Sequence, residues 1–319
     1  MKPNVLLEKN MMVRCLLMAW FFMLTPQFAF AEQQFPTREA AVEAMVIALD
    51  NQDQVALKAM FGPEYDAFQR GQESDRALQE LRSKRFLAAL REFHTFIALE
   101  DDRYALVVGS MAWPFPIPIV HEDGMWQFDG TAGVEELRNR IVGANELNAI
   151  ALLDVYAAAQ RQYSQADHDG DGVHEYAQRV VSTPGTRDGL YWEADTDNDV
   201  EPRSPLHLLK TLSDALLGER ERSEPFLGYH FRILYSQGEN AKAGAFDYLI
   251  NGHLLGGFAM LAWPAEYGET GIMSFLVNQD RVIYQADLGA ETADIAASIT
   301  RFDPGPGWIE VPDDDAGLE

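Results

Sequence analysis

Apolar residues recur at helical spacing through the first part of the chain, and near residue 95 the period drops to two. In residues 35–64, Thr37 is placed to cap a helix whose apolar side carries Ala41, Met45, Ile47, Ala48 and Leu49. The polar run 50–53 breaks it, and Val55, Leu57, Met60 and Phe61 predict a second short helix ending before Gly62 and Pro63. A third helix is predicted over 77–93, with Leu78, Leu81, Phe86 and Leu90 on its core side. FIALED, RYALVVGS, PIPIVHEDG and MWQFDG then read as strands, with Glu122, Asp123 and Gly124 as a hairpin turn. Pro114, Pro116 and Pro118 lack the donor a central strand needs, so this segment belongs at an edge or rim.

A long helix is predicted over 134–165, with Val134, Leu137, Ile141, Leu147, Ile150, Ala151, Val155 and Ala158 on its apolar side and Gly143 as a candidate kink. An irregular stretch over 182–205 and a short helix over 206–218 follow. The pattern then turns strand-like over 229–237, 245–268 and 270–289, with VNQDR as a hairpin turn. The acidic tail 311–319 reads as disordered. The predicted class is α+β in two parts: helices with a curved antiparallel sheet, then a long helix packed on a second antiparallel sheet.

Composition permits such cores: 47% of the 319 residues are hydrophobic and 11% aromatic. Charge narrows the partners. Lys plus Arg number 25 against 50 Asp plus Glu, a net charge of −25 that repels phosphate backbones and anionic headgroups. Nucleic acid and membrane surfaces are thereby excluded as expected partners, which leaves cations, basic proteins and neutral ligands.

The N-terminus reads as an address. Lys2, Lys9 and Arg14 precede the apolar run 15–24, too short for a hydrocarbon core ~30 Å thick. Ala29 and Ala31 then stand at small-x-small spacing. Residues 1–31 are therefore expected to be a cleaved signal peptide, giving a periplasmic or secreted protein with no membrane insertion after cleavage. Cleavage removes three basic residues and Glu8, taking the net charge from −25 to −27, and it removes the only cysteine, Cys15. Disulfides are then impossible, so stability must come from core packing, to which a metal could add.

One stretch offers the metal. In DHDGDGVHE, Asp167, Asp169 and Asp171 stand at positions one, three and five of an EF-hand loop. Gly172 takes the sharp turn at six, Val173 offers a carbonyl at seven, and Glu175 stands at nine. Calcium takes about six to eight hard oxygens, which alternating aspartates supply. Position twelve is Gln178 instead of a bidentate glutamate, so Glu175 is the expected closing carboxylate of a variant or weak site. His168 and His174 flank the loop at a spacing that matches no zinc signature, and the second acidic run, 193–201, lacks the glycine at six.

Catalytic templates find no match: there is no G-x-S-x-G, no H-E-x-x-H and no glycine-rich phosphate loop. The best single candidate for carboxylate chemistry is Glu266, beside Trp263 and Tyr267, although a strand-end turn is the plainer reading. Tyr191 and Trp192 offer stacking faces that more often close a core.

Three resemblances bear on this reading. Residues 32–131, through FPTREAAVEAMVIALDNQDQVAL and VHEDGMWQFD, resemble the nuclear-transport-factor-2-like cone fold, which hosts both enzymes and binding modules. WPFPIPIV, NELNAIALLDVYAAAQRQY, DHDGDGVHEYAQ, STPGTRDGLYW and FAMLAWPAEYGETGIMSFLVNQDRVIYQADLG together look like an exported bacterial family of unknown function, number 2950. Residues 132–310 also resemble type IV pilin and pseudopilin heads. The carriers there are NELNAIALLDVYAAAQRQY and the P-G-TG-SF-D-I pattern over 264–283, with Arg281 standing where that pattern has a glycine. The expectation is an exported, calcium-stabilised, non-catalytic binding or accessory protein of the bacterial envelope, with an envelope protein or glycan as partner. Two classes stay open beside it: an envelope polysaccharide or peptidoglycan hydrolase, and a pilus or secretion-system component.

Overall fold

A computed structural model describes residues 33–66, 76–100, 102–192, 204–206 and 225–312, without the side chains of 76–79. The expected leader over 1–31, the acidic run 193–201, all but the first residue of the predicted helix 206–218, and residues 313–319 of the tail lie outside the described residues. The chain divides into two compact units between Gly130 and Thr131. It mixes helices with antiparallel sheets, five helices being present among the described residues.

In the first unit the caps set the helices. Thr37 Oγ1 accepts the Ala40 N–H at 3.1 Å and starts α1 (Arg38–Asp50). Asp53 takes the N–H groups of Val55 and Ala56 and starts α2 (Gln54–Phe61). A 3-10 turn over Gly62–Glu64 follows, then α3 (Arg76–Glu92). The strands are β1 (His94–Ala98), β2 (Arg103–Val108), β3 (Trp113–Pro114), β4 (Ile119–Glu122) and β5 (Met125–Phe128). They run antiparallel in the order β1-β2-β4-β5, with the two-residue β3 beside β2. Asp123 and Gly124 adopt φ of 50° and 80°, the left-handed pair that a tight β4–β5 hairpin requires.

Met45, Leu57, Met60, Phe61, Leu90, Leu106, Ile119 and Phe128 are buried in this unit's core. Three positions expected there face water: Ile47, Val55 and Leu81 are 55%, 81% and 44% exposed. In α1 the buried stripe is Ala41, Val42, Met45 and Ala48. Its alanines allow close approach, and Ile47 falls about 100° of helical turn away from Ala48.

The second unit carries α4 (Gly130–Tyr163), which runs unbroken through Gly143. Its buried side is Ala149, Leu153, Tyr156, Gln160 and Tyr163, spaced four, three, four and three. This corrects the apolar side read from hydropathy, since Ile141 and Leu147 are 52% and 64% exposed and Ala151 and Ala158 face solvent. Tyrosines and a glutamine score as polar, yet here they find hydrogen-bond partners inside the core and so belong there.

Five strands form the main sheet: β8 (Tyr229–Leu234), β13 (Ala259–Pro264), β14 (Met273–Asn278), β15 (Ile283–Asp287) and β16 (Ile309–Glu310), ordered β16-β15-β14-β13-β8. The expected strand over 245–268 is divided. Between β8 and β13 lie β9 (Ser236–Gln237) paired with β10 (Phe246–Asp247), and β11 (Leu249–Ile250) paired with β12 (His253–Leu254). Asn251 and Gly252, with φ of 54° and 92°, make the turn between β11 and β12.

Helix α4 is fastened to the sheet near its middle. Asn145 Nδ2 donates to the Thr270 carbonyl at 2.9 Å, and Glu146 Oε1 accepts the N–H groups of Ile272 and Met273 at 2.9 and 3.0 Å. No sequence pattern marks α5 (Thr292–Ser298), whose end is held from β8 by Arg232 Nη2 donating to the carbonyls of Ala296 and Ile299.

An unusual pair brackets the start of the stretch read as irregular. Strands β6 (Arg179–Val181) and β7 (Gly189–Tyr191) run parallel, although only residues 182–188 join them. A parallel crossover ordinarily needs about a dozen residues or more. Asp188 holds this one closed, accepting from Thr183 N, Thr183 Oγ1 and Thr186 Oγ1 at 2.7, 2.7 and 2.8 Å, with Arg179 Nε at 3.5 Å.

Partial burial pushes the Asp188 carboxyl up, but the donors outweigh it and hold it below the usual carboxylate range. A carboxyl depressed in the folded state adds stability above its unfolded pKa of about 3.9 and loses it as pH falls through the folded value. Asp188→Asn is therefore expected to flatten the loss of melting temperature on acidification from about pH 5 downward. Parallel melting curves for the two proteins over that range would refute this role.

Candidate metal centre

The acidic loop leaves α4 at a closed helix end. The Tyr163 hydroxyl donates to the Arg187 carbonyl at 2.6 Å, and the Tyr163 ring stacks on His168 at 4.1 Å. His168 Nε2 lies 2.9 Å from the Tyr163 carbonyl, so that nitrogen carries the proton and donates. Burial lowers the His168 pKa, which keeps the ring neutral against Tyr163 and Trp192.

Beyond His168 the loop wraps around Asp167. One carboxylate oxygen of Asp167 accepts from Gly170 N at 2.7 Å and the other from Gly172 N at 2.9 Å. Gly170 and Gly172 hold φ of 82° and 86°, a backbone that a β-carbon would strain. Asp169 accepts from Asp171 N at 3.3 Å, and Asp171 Oδ1 accepts from Val173 N at 2.7 Å. The loop thus turns three carboxylates inward. One oxygen each from Asp167, Asp169 and Asp171 fits within a span of 4.8 Å.

The charges differ within this cluster. The N–H groups of Gly172 and Gly170 hold Asp167 below the usual carboxylate range. Asp169 is pushed up by desolvation and by the neighbouring Asp171 and Asp167 carboxylates. Like charges set this close favour either a shared proton or a cation.

The structure brings together three of the six expected ligands. Val173 is half-buried beside them and donates its N–H to Asp171. Glu175 and Gln178 are directed to the β11–β12 hairpin instead: Glu175 Oε2 accepts from Leu254 N at 2.9 Å, and Gln178 Nε2 donates to the Gly252 carbonyl at 2.7 Å. Tyr176 N also donates to the Leu254 carbonyl at 2.9 Å. The residue that sequence reasoning missed is His253, whose Nδ1 lies 3.5 Å from both Asp171 Oδ2 and Glu175 Oε2. No spacing rule could pair it with a loop some 80 positions earlier.

Glu266 is exposed on a turn, its backbone N–H bonded to Thr270 Oγ1 at 3.0 Å and its carbonyl to Thr270 N at 2.9 Å. The other carboxylate of that turn, Glu269, pairs with Arg138 at 3.0 Å. Tyr191 is buried, and Trp192 packs against His168 with the Arg187 guanidinium over its face. His174 is exposed.

A family model described as "Protein of unknown function (DUF2950)" matches residues 32–311. No curated protein and no solved structure matches the chain.

Proposed function

The chain belongs to the DUF2950 family, and from that premise we propose an exported, calcium-stabilised, non-catalytic binding or accessory protein of the cell envelope. The observation that carries the metal part is the convergence of Asp167, Asp169 and Asp171 within 4.8 Å on a loop whose two glycines fix the turn. These three carboxylates, with the Val173 carbonyl, would hold the ion, which would neutralise their mutual repulsion. Export is supported by the basic-apolar-small order of residues 2–31, and a basic or neutral partner by the net charge of −25.

Calcium should raise the melting temperature. A site of the extracellular class, with Kd of about 10⁻⁴–10⁻³ M, gains about 1.4–2.7 kcal/mol at about 10 mM calcium. For a unit of this size that is a rise of about 3–10 °C. Asp169→Ala should abolish it. A flat calorimetric titration, together with an unchanged melting temperature in calcium, would sink the proposal.

A further inference from the structure

A sheet gains a strand at its edge, where the outer N–H and C=O groups have no ladder partner. Strands β1 and β5 end the first unit's sheet. Beside β5 the position is taken: Phe35 N donates to the Trp126 carbonyl at 2.7 Å, and Trp126 N to the Phe35 carbonyl at 2.8 Å. Beside β1 it is open. Gly109 N donates to the Phe93 carbonyl and Leu99 N to the Arg103 carbonyl, each at 2.8 Å, which fixes the alternation along the strand. Thr95 and Ile97 are in step with these residues and face Val107 and Ala105 of β2. His94, Phe96 and Ala98 therefore turn their N–H and C=O groups away from β2, and no backbone group elsewhere among the described residues meets them.

Natural edges are blunted by lysine, proline, a bulge or a covering segment. This one has none of them. Residues 93–99, FHTFIAL, contain no Lys, Arg, Asp, Glu or Pro, and the pairing with β2 runs unbroken from His94 to Ala98. Every residue of β1 except Phe96 is exposed. Phe96 packs toward the core, so the alternate residues show the other face, where Phe93, Ile97 and Leu99 are 47%, 54% and 52% exposed.

We propose that β1 is a dimerisation edge, pairing antiparallel with β1 of a second copy about a two-fold axis at Phe96. The strand matches itself in that register. Outward-turned residues must meet outward-turned residues, and here His94 opposes Ala98 of the second copy while Phe96 opposes its own equivalent. Each opposed pair exchanges two bonds, about six across the junction. On the exposed face Phe93 meets Leu99 of the second copy and Thr95 meets Ile97, apolar and β-branched pairs of the kind that stabilise adjacent strands. Charge favours this place for a second copy. Chains of net charge −25 repel one another over most of their surface, whereas residues 93–99 bring no carboxylate to the junction. Glu92 and Glu100 stand just beyond its two ends and would oppose each other across the axis, which confines the pairing to those seven residues.

Sedimentation velocity of the full chain across a micromolar concentration series should show a monomer passing to a dimer. Ala98→Pro removes an N–H that β2 does not use, so the ladder within the chain is kept while two symmetry-related bonds of the dimer are lost. Dimerisation should weaken about tenfold or more. Ile97→Lys, on the exposed face, should do the same, and it decides the matter if Ala98→Pro fails to fold by circular dichroism. The register has its own readout. In a Cys15→Ser background, Thr95→Cys with Ile97→Cys sets thiols on opposed residues with Cα atoms about 4.5 Å apart, within disulfide reach. Oxidation should double the mass on a denaturing gel, and Thr95→Cys alone should cross-link far less. A monomer at every concentration, or a dimer that Ile97→Lys leaves unchanged, would overturn the proposal. Equal cross-linking by the single and double cysteine variants would overturn the register.

Discussion

Gln160→Leu is expected to cost the second unit about 2–6 kcal/mol, although the two side chains have similar volume. Gln160 is fully buried on α4, and its amide acts on both faces. Its Oε1 accepts from Ala177 N at 2.8 Å, while its Nε2 donates to the Ala177 carbonyl at 2.8 Å and to the Tyr156 hydroxyl at 3.0 Å. The side chain thus stands where a neighbouring strand would stand, pairing both backbone groups of one residue. Ala177 is 1% exposed, so water cannot replace the lost partner. Each orphaned backbone group costs about 1–3 kcal/mol, which sets the range. Because Ala177 follows the acidic loop, the same change should also loosen residues 164–176 and weaken calcium binding. Urea unfolding measures the first effect and calorimetry the second. A loss below about 1 kcal/mol would show that Ala177 finds other partners.

That contact also marks what hydropathy could and could not reveal. Thr37 and the Asp123–Gly124 turn were legible because caps and tight turns are local chemistry, settled within four residues. The buried side of α4 was not. Its seam includes Gln160, Tyr156 and Tyr163, whose polar atoms are satisfied only by chain that follows the helix. The short α5 was hidden for a similar reason, since Arg232 on β8 closes its end from 64 residues away.

The acidic loop divides along the same line. Asp167, Asp169 and Asp171 lie within five residues, and their convergence follows from spacing and two glycines. Glu175 and Gln178 obey the hairpin, whose position depends on tertiary structure. The spacing of an EF-hand template therefore brings out the three aspartates that converge, while Glu175 and Gln178 are held by the hairpin.

Gly271→Ala should cost about 3–5 kcal/mol, while Gly268→Ala, three residues earlier, should cost about 1–2 kcal/mol. Both glycines lie between β13 and β14, but they are needed for different reasons. Gly268 holds φ of 79° with open space around it, so alanine there meets only backbone strain. At Gly271 a β-carbon would lie 2.2 Å from the Tyr229 hydroxyl and 2.7 Å from its ring. Tyr229 cannot step aside: it is 1% exposed, and its hydroxyl donates to the Met273 carbonyl at 2.8 Å. Burial and the nearby Glu146 raise its pKa, so the hydroxyl keeps its proton and the bond. Glu146 meanwhile binds the N–H groups of Ile272 and Met273, so moving this strand end also strains the junction with α4. The double variant Gly271→Ala with Tyr229→Phe removes the hydroxyl that clashes and should recover part of the loss. No recovery in urea unfolding would place the clash on the Tyr229 ring, which phenylalanine keeps 2.7 Å from that β-carbon. Equal costs at Gly268 and Gly271 would refute the close-approach account.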